Sequence, residues 1–381
     1  MHRIYLDHAS TTPLDPRVAE RMRPFMGQRF GNPSSSHLFG QEANAAMEIA
    51  RREVAELIGS TPEEVVFTGS GSEADNLAVK GVAFLHRLRD VHIVTTAVEH
   101  DAVLHAARSL IRLGVEVSVL PVDSAGQVDP ETVRRALRPD TRLISVMHAN
   151  NEVGTLQPIA AIGRIAREAG IPFHVDAVQT AGIEPIDVEA LHIDLLSLSA
   201  HKFYGPQGVG ALYVRRDVRL APLVDGGPHE GGLRAGTPNV AGIIGLGEAA
   251  RLAKSERTAR RNHAGAVRDA LTERLRAVIP EARRSGHVTE TLPGHLHLRT
   301  GLGPSAALLE FLSERGIAAS SGSACTSTIA KPSHVLSAMG VEAEEALSAL
   351  RLTAGQAVGL DDVEPVAAAI ADYVRRAALI H

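Results

Sequence analysis

Short apolar, β-branched runs alternate along this chain with stretches whose apolar residues recur at helical spacing, the pattern of βα units on a mostly parallel sheet. Seven strands are predicted, at 65–67, 92–95, 115–119, 143–146, 173–175, 195–197 and 210–214. Helices lie between them, such as 77–85 and 159–169, the latter closed by Gly170 as a C-terminal cap. From 239 to 278 the chain becomes one long stretch of helix formers, apolar first and then rich in Arg and Glu, fit to bridge two domains. After Pro280 it reads as a smaller α/β unit ending in a helix near 363–378. The expected organisation is α/β: a large domain over 15–255 with a seven-stranded, mostly parallel sheet, and a smaller domain made of 1–14 and 256–381.

Composition agrees with that frame and narrows the class. A chain of 381 residues exceeds the span of one hydrophobic core, and 44% hydrophobic residues supply ample interior. The start, Met1-His2-Arg3-Ile4-Tyr5-Leu6-Asp7-His8, lacks the apolar stretch of a signal peptide, and no apolar run nears the roughly 20 residues of a membrane span. A formal charge of −5 with both signs interspersed leaves no basic footprint for nucleic acid. A soluble, cytoplasmic protein with no membrane or nucleic-acid partner is expected. A single cysteine excludes a disulfide within the chain and fits a reducing compartment. That residue, Cys325, sits in the small polar run Ser320-Ser321-Gly322-Ser323-Ala324-Cys325-Thr326-Ser327-Thr328, without the apolar company of a packing thiol. Lysine is scarce, four against thirty-five arginines, so a lysine in an unusual place is conspicuous.

Three polar clusters fall at strand ends. The first, Thr68-Gly69-Ser70-Gly71-Ser72-Glu73-Ala74-Asp75-Asn76, leads into a helix; its small residues would let backbone N–H groups approach an anion, and Ser72 adds a hydroxyl. It reads as a phosphate cradle, although an ordinary capped βα turn looks similar. Gly69 to Ala74 also satisfies the dinucleotide pattern G-x-G-x-x-A, which wants an acid about 20 residues on at the end of the second strand. Asp90 has the count but precedes its strand, which ranks a simple phosphate first. The second cluster ends the strand Phe173-His174-Val175 in Asp176 and, three residues on, Gln179; an aspartate there could hold a cationic ring nitrogen or merely cap a turn. The third runs from an apolar strand through Ser199-Ala200-His201-Lys202 into a glycine-rich turn, Gly205-Pro206-Gln207-Gly208. A lone lysine is usually a solvated charge, but one shielded at the mouth of a sheet can lose its proton and form a Schiff base with an aldehyde. Phosphate cradle, ring-nitrogen acid and Schiff-base lysine together are what pyridoxal phosphate requires. No metal is called for.

These stretches resemble the cysteine desulfurases, fold-type-I pyridoxal-phosphate enzymes of the class-V aminotransferase superfamily. So do Ile4-Tyr5-Leu6-Asp7-His8-Ala9-Ser10-Thr11-Thr12-Pro13, Phe30-Gly31-Asn32-Pro33, Met147-His148-Ala149-Asn150-Asn151-Glu152-Val153-Gly154, His229-Glu230, Arg234-Ala235-Gly236-Thr237 and the Cys325 run, so that nearly the whole chain is covered. The resemblance implies the pyridoxal-phosphate-dependent transferase fold type I. It makes Lys202 the Schiff-base lysine and places Gly71, Ser72, Ser199 and His201 on the cofactor phosphate, with Thr237 reaching in from the second subunit of a homodimer. Asp176 would pair with the ring nitrogen and Gln179 with the ring's phenolic oxygen, while His100 would stack on the ring and assist proton transfer. Asn151 and Arg351 would hold the substrate carboxylate, Asn151 also bordering the cofactor.

The implied reaction converts L-cysteine to L-alanine: Lys202 moves the α-proton and Cys325, as a thiolate, takes the sulfur as a persulfide for an acceptor such as an iron–sulfur scaffold. The chain departs from the family pattern at His8, Ser72, Pro228, Gly231 and Gln356. Selenocysteine lyase or aminotransferase activity would share Lys202 and Asp176. A non-catalytic partner-binding protein, or a dinucleotide binder using Gly69 and Gly71, would need none of the intact lysine, aspartate and cysteine set.

Overall fold

The computed structural model describes residues 2–322 and 331–377. A two-residue strand, Ile4–Tyr5 (β1), comes first, and the seven predicted strands follow as Val65–Thr68 (β2), His92–Thr96 (β3), Glu116–Leu120 (β4), Thr141–Ser145 (β5), Phe173–Asp176 (β6), Leu195–Ser199 (β7) and Gly210–Val214 (β8). All seven join in one sheet of order β2-β8-β7-β6-β5-β3-β4. Neighbours from β7 to β4 run parallel, whereas β8 is antiparallel to both β7 and β2. The mostly parallel sheet expected from the patterning is therefore present. Its inner strands β3, β6 and β7 are buried throughout, which is why they read as nearly continuous apolar runs. Strand β5 starts two residues before its apolar run because Thr141 pairs with His92, whose imidazole is 2.8 Å from the Thr141 hydroxyl.

The helix after β2 corrects the pattern more. It spans Gly71–Ala83 rather than 77–85, because the Ser70 hydroxyl accepts the Glu73 N–H (3.1 Å) while the Glu73 carboxylate turns back to the Gly69 N–H (2.8 Å). This reciprocal pair of bonds satisfies donors at the helix start and fixes the first turn well before the apolar periodicity begins. Gly71 and Ser72 are thereby the first two helical residues.

The long helix forms as Val240–Val278, with the Asn239 side chain accepting the Gly242 N–H at 3.1 Å. Its first half buries Ile243, Leu246 and Ala250 in a cluster that includes Phe67, Phe173 and Leu198 of the sheet. Its second half buries Val267, Leu271 and Leu275 in a separate cluster with Leu296, Leu350, Leu352 and Val366. Ile4 and Leu6, from the opposite end of the chain, pack in that second cluster. Around it, Arg283–Arg284 (β9), His295–Arg299 (β10) and Ala349–Thr353 (β12) form an antiparallel sheet of order β12-β10-β9, and Ile317–Ala318 (β11) pairs in parallel with β1. The Thr353 N–H donates to the Leu6 carbonyl (2.8 Å), so β12 and the N-terminal segment approach the large sheet together. Among the described residues no helix is long and apolar enough to cross a membrane.

Candidate active site

The carboxyl ends of β5, β6 and β7 and the N-terminus of helix Gly71–Ala83 open on one cavity of about 590 Å³. In an open α/β sheet this is where polar side chains leave the packed interior and meet a ligand. Gly71, Ser72, His100, Asn151, Asp176, Gln179, Ser199, His201, Lys202 and Arg351 all line it. Two sequence-derived residues do not. Thr237 is exposed in a separate pocket with Gly69, Arg234 and Asn239, and Cys325 lies outside the described residues.

At one end the helix start offers the Gly71 and Ser72 N–H groups, which have no intrahelical acceptor. A Cβ on Gly71 would lie 2.7 Å from Val178 Cγ2 and 3.2 Å from Ser199 Cβ, so this close convergence of backbone and Ser199 requires glycine. His201 closes that end, its Nδ1 3.0 Å from the Thr11 hydroxyl. Burial, then the charge of Lys202, lowers its pKa to about 4 and keeps the ring neutral.

The opposite wall is acidic. Asp176 is 6% exposed and accepts the Val178 N–H at 2.9 Å, while burial raises its pKa against the opposing influence of His100, Val178 and Lys202. Behind it Asp75 lies 3.6 Å from His174 Nε2, and His174 is bridged to Ser145 (2.8 Å) and Ser197 (2.9 Å). The Asp75–His174 contact joins neutral groups rather than ions: burial and then Asp176 push the carboxyl well up, and burial takes the imidazole down to about 3. Glu99, also buried, is pushed up to about 8 by burial. Its Oε1 accepts the Thr96 hydroxyl (2.7 Å) and the Met147 N–H (3.0 Å), while Oε2 has no partner.

Lys202 Nζ donates to the carbonyls of Ala9 (2.5 Å) and Ser10 (2.8 Å). Burial, then the charge of Arg351, lowers its pKa to about 8, so a usable fraction of the amine is neutral near pH 7. Arg351 is 2% exposed and firmly anchored, Nη1 on the Asn151 carbonyl (2.8 Å) and Nη2 on Asp7 (2.7 Å) and the Ser10 hydroxyl (2.8 Å). His100 caps helix Asp101–Ile111 by accepting the Ala102 N–H on Nδ1 (3.1 Å). Gln179 reaches the Ala9 carbonyl at 3.0 Å.

Sequence reasoning assigned no role to Asp7, Ser10, Asp75 or Glu99, although each lies in or beside a quoted stretch. The available signal was an acid or hydroxyl at the end of an apolar run. It does not say which side chain turns inward.

A family model described as aminotransferase class-V matches residues 4–366. A cysteine desulfurase IscS of Anaeromyxobacter dehalogenans (strain 2CP-C) is 48% identical over 376 residues, 98% of this chain and 93% of that relative. A putative cysteine desulfurase IscS 1 of Bacillus subtilis (strain 168) is 45% identical, covering 99% of this chain and 100% of its own length. Among solved structures, a NifS-like protein superposes with a TM-score of 0.92 at 37% identity over 98% of this chain and 100% of its own. SspA in complex with cysteine superposes with a TM-score of 0.80 at 38% identity, over 92% and 99% respectively.

Proposed function

This chain belongs to the aminotransferase class-V family, and on that premise we propose that it is a cysteine desulfurase: it converts L-cysteine to L-alanine and carries the sulfur on Cys325. One observation carries the reading. An anion-ready helix start, a buried carboxyl with no lysine or arginine paired to it among the described residues, and a lysine of lowered pKa face one cavity. Those features fit pyridoxal phosphate, with Gly71, Ser72, Ser199 and His201 at its phosphate, Asp176 at the ring nitrogen, Gln179 at the phenolic oxygen, and His100 and Asn151 at its borders. When bound, that cofactor supplies an aldehyde that condenses with amines and a ring that takes up electron density from the substrate's α-carbon.

The chain's own residues supply the rest. Lys202, neutral in useful amount and directed by two carbonyls, takes the substrate α-proton and returns it. Arg351, held rigid by Asp7 and Asn151, receives the substrate carboxylate, and its buried Nε lacks a partner among the described residues. Cys325, as thiolate, attacks the substrate sulfur. The carbon–sulfur bond breaks, a sulfur–sulfur bond forms, and the carbon that loses sulfur gains a proton, so cysteine plus thiol gives alanine plus persulfide. The persulfide sulfur would pass to an acceptor protein such as an iron–sulfur scaffold. The exposed position of Thr237, away from the Lys202 cavity of its own chain, supports a homodimer in which it completes the partner's phosphate site. Exposed Leu38 and the stacked pair Phe30 and Phe39 offer apolar surface for that association.

Anaerobic incubation with L-cysteine tests the reading by measuring alanine and protein-bound sulfur. Stoichiometric alanine with a persulfide on Cys325 is expected, lost as protein-bound sulfur in Cys325→Ser. Alanine formed only when pyruvate is supplied as amino acceptor would identify an aminotransferase instead.

A further inference from the structure

Lys202 lines a second, smaller cavity of about 70 Å³, together with His8, Tyr204, Arg260, His295 and Gln356. Five separate parts of the chain contribute these residues: the N-terminal segment, the turn after β7, the middle of helix Val240–Val278, the start of β10 and the loop after β12. No carboxylate lines it, whereas Asp75, Asp101, Glu152 and Asp176 line the larger cavity.

The hydrogen-bonding state of its walls follows from their partners. His8 is 7% exposed and its Nδ1 lies 3.0 Å from the Thr353 carbonyl. A carbonyl only accepts, so the neutral ring carries its proton on Nδ1, and Nε2, buried without a partner among the described residues, is an acceptor. His295, also 7% exposed, has a buried and unpartnered Nε2. Donors line the same cavity. The Tyr204 oxygen accepts the Gln356 N–H at 2.8 Å and keeps its own proton to give. Arg260 places Nε and Nη2 on Glu256 and leaves the buried Nη1 without an acceptor. On the same measure one water needs roughly 10–15 Å³ and two to four polar partners, so the cavity has room for water beside its donors and acceptors.

We propose that this chamber binds water and that the water joins the Lys202 amine to Nε2 of His8, through which Lys202 sheds and regains a proton. The proposal rests on the preceding reading of Lys202 as an amine that acts in its neutral form. An N–H bond of the lysine ammonium breaks as a water O–H forms, and a proton of that water bonds to His8 Nε2. The imidazolium keeps its Nδ1–H on the Thr353 carbonyl; its Nε2–H bond breaks as the proton passes to another water of the cavity, toward the exposed Gln356 rim. Charged and titratable groups around His8 are Asp7, Tyr5 at 5.0 Å between rings, Tyr204 at 6.2 Å, and Lys202, Arg260 and His295 across the chamber. Burial lowers the His8 pKa, opposed by the Thr353 carbonyl and Asp7, so the ring hands on a proton rather than storing it.

The test uses the full chain freed of pyridoxal phosphate, following by absorbance how fast Lys202 condenses with added cofactor from about pH 6 to about pH 9. His8→Ala should slow condensation at least about tenfold below the Lys202 pKa, and free imidazole should restore the rate. His8→Gln keeps hydrogen-bonding capacity without a transferable ring proton; it should fold, be slow and gain nothing from imidazole. Wild-type rates in His8→Ala, or a loss that imidazole leaves untouched, overturn the relay. A wild-type chain that forms no adduct on Lys202 overturns the functional reading first, and the relay with it.

Discussion

Lys202 lines two cavities that differ in whether carboxyl groups share their walls. The larger is walled by carboxyl groups, of which Asp75, Glu152 and Asp176 are pushed up by burial. The smaller has no carboxyl group among its described lining residues, and its two imidazoles are kept neutral, His8 pushed down and His295 taken to about 3, again by burial first; the larger mixes its carboxyl groups with His100, His201 and His334. One physical cause thus neutralises both walls, because loss of water penalises whichever form is charged. The difference lies in what each wall does when a charge arrives. A carboxyl of raised pKa ionises beside a cation and gives that cation a lasting partner. An imidazole of lowered pKa accepts a proton briefly and lets it go. The acid wall therefore suits a ring nitrogen that stays positive through a reaction, and the imidazole wall suits a proton in transit.

Removing the amine that both cavities share should have the largest effect. Lys202→Ala is expected to reduce alanine formation from cysteine by about 10³-fold or more, with cofactor held only non-covalently and washed out on dilution. Asp176→Asn should follow at about 10²-fold in kcat/KM, since an amide cannot take on the charge that pairs with a ring cation. The contrast between the walls sets the ranking: loss of Asp176 should cost more than loss of His8. If His8→Ala proved the more damaging in steady-state turnover, the assignment of lasting and transient charge would be reversed.

Gly71→Ala probes the proposed phosphate end of the acid-walled cavity without touching either set of titrating groups. The added methyl meets Val178 Cγ2 at 2.7 Å and Ser199 Cβ at 3.2 Å. Overpacking of this kind costs about 1–3 kcal/mol, and a shift of Ser199 should appear as a rise of about tenfold in the cofactor dissociation constant. Val178→Ala in the same chain should recover most of that affinity. No recovery would mean that the glycine serves the backbone alone.

The two cavities also differ in how far they could be read from the chain. The acid-walled one is made where strands end, and strand ends are visible as apolar runs breaking into polar residues; Asp176 and Ser199 are the last residues of β6 and β7, and His201 and Lys202 follow β7 directly. Helix Gly71–Ala83 was harder, since its start is set by the Ser70 and Glu73 bonds and not by apolar periodicity. The imidazole chamber was not legible at all. His8, Arg260, His295 and Gln356 share no motif and meet only because β1 and β12 pack beside the long helix. Even the buried acids escaped notice, because Asp75 and Glu99 read as one more polar residue in a run already given a role. A local pattern reports the element that carries a residue. It does not report the desolvation that gives the residue its chemistry.

The smallest expected effect concerns stability, and it isolates the desolvation that the two walls share. Glu99 is pushed from 4.5 up to about 8 by burial, so it is protonated in the folded chain at pH values where the unfolded chain has already ionised it. Its contribution is fully present below about pH 4.5 and is lost as pH rises toward about 8, because the unfolded state then binds fewer protons than the folded one. Glu99→Gln keeps an oxygen to accept from Thr96 and Met147 and carries no proton to lose. Its melting temperature should therefore fall less than that of the parent chain between about pH 5 and about pH 8, by a difference of a few degrees. Asp75, Asp176 and Glu152 are raised by the same cause and would retain most of the slope. Parallel melting curves for parent and variant across that range would show that Glu99 ionises in the folded chain with its ordinary affinity, and that burial does not govern this acid behind the cavity.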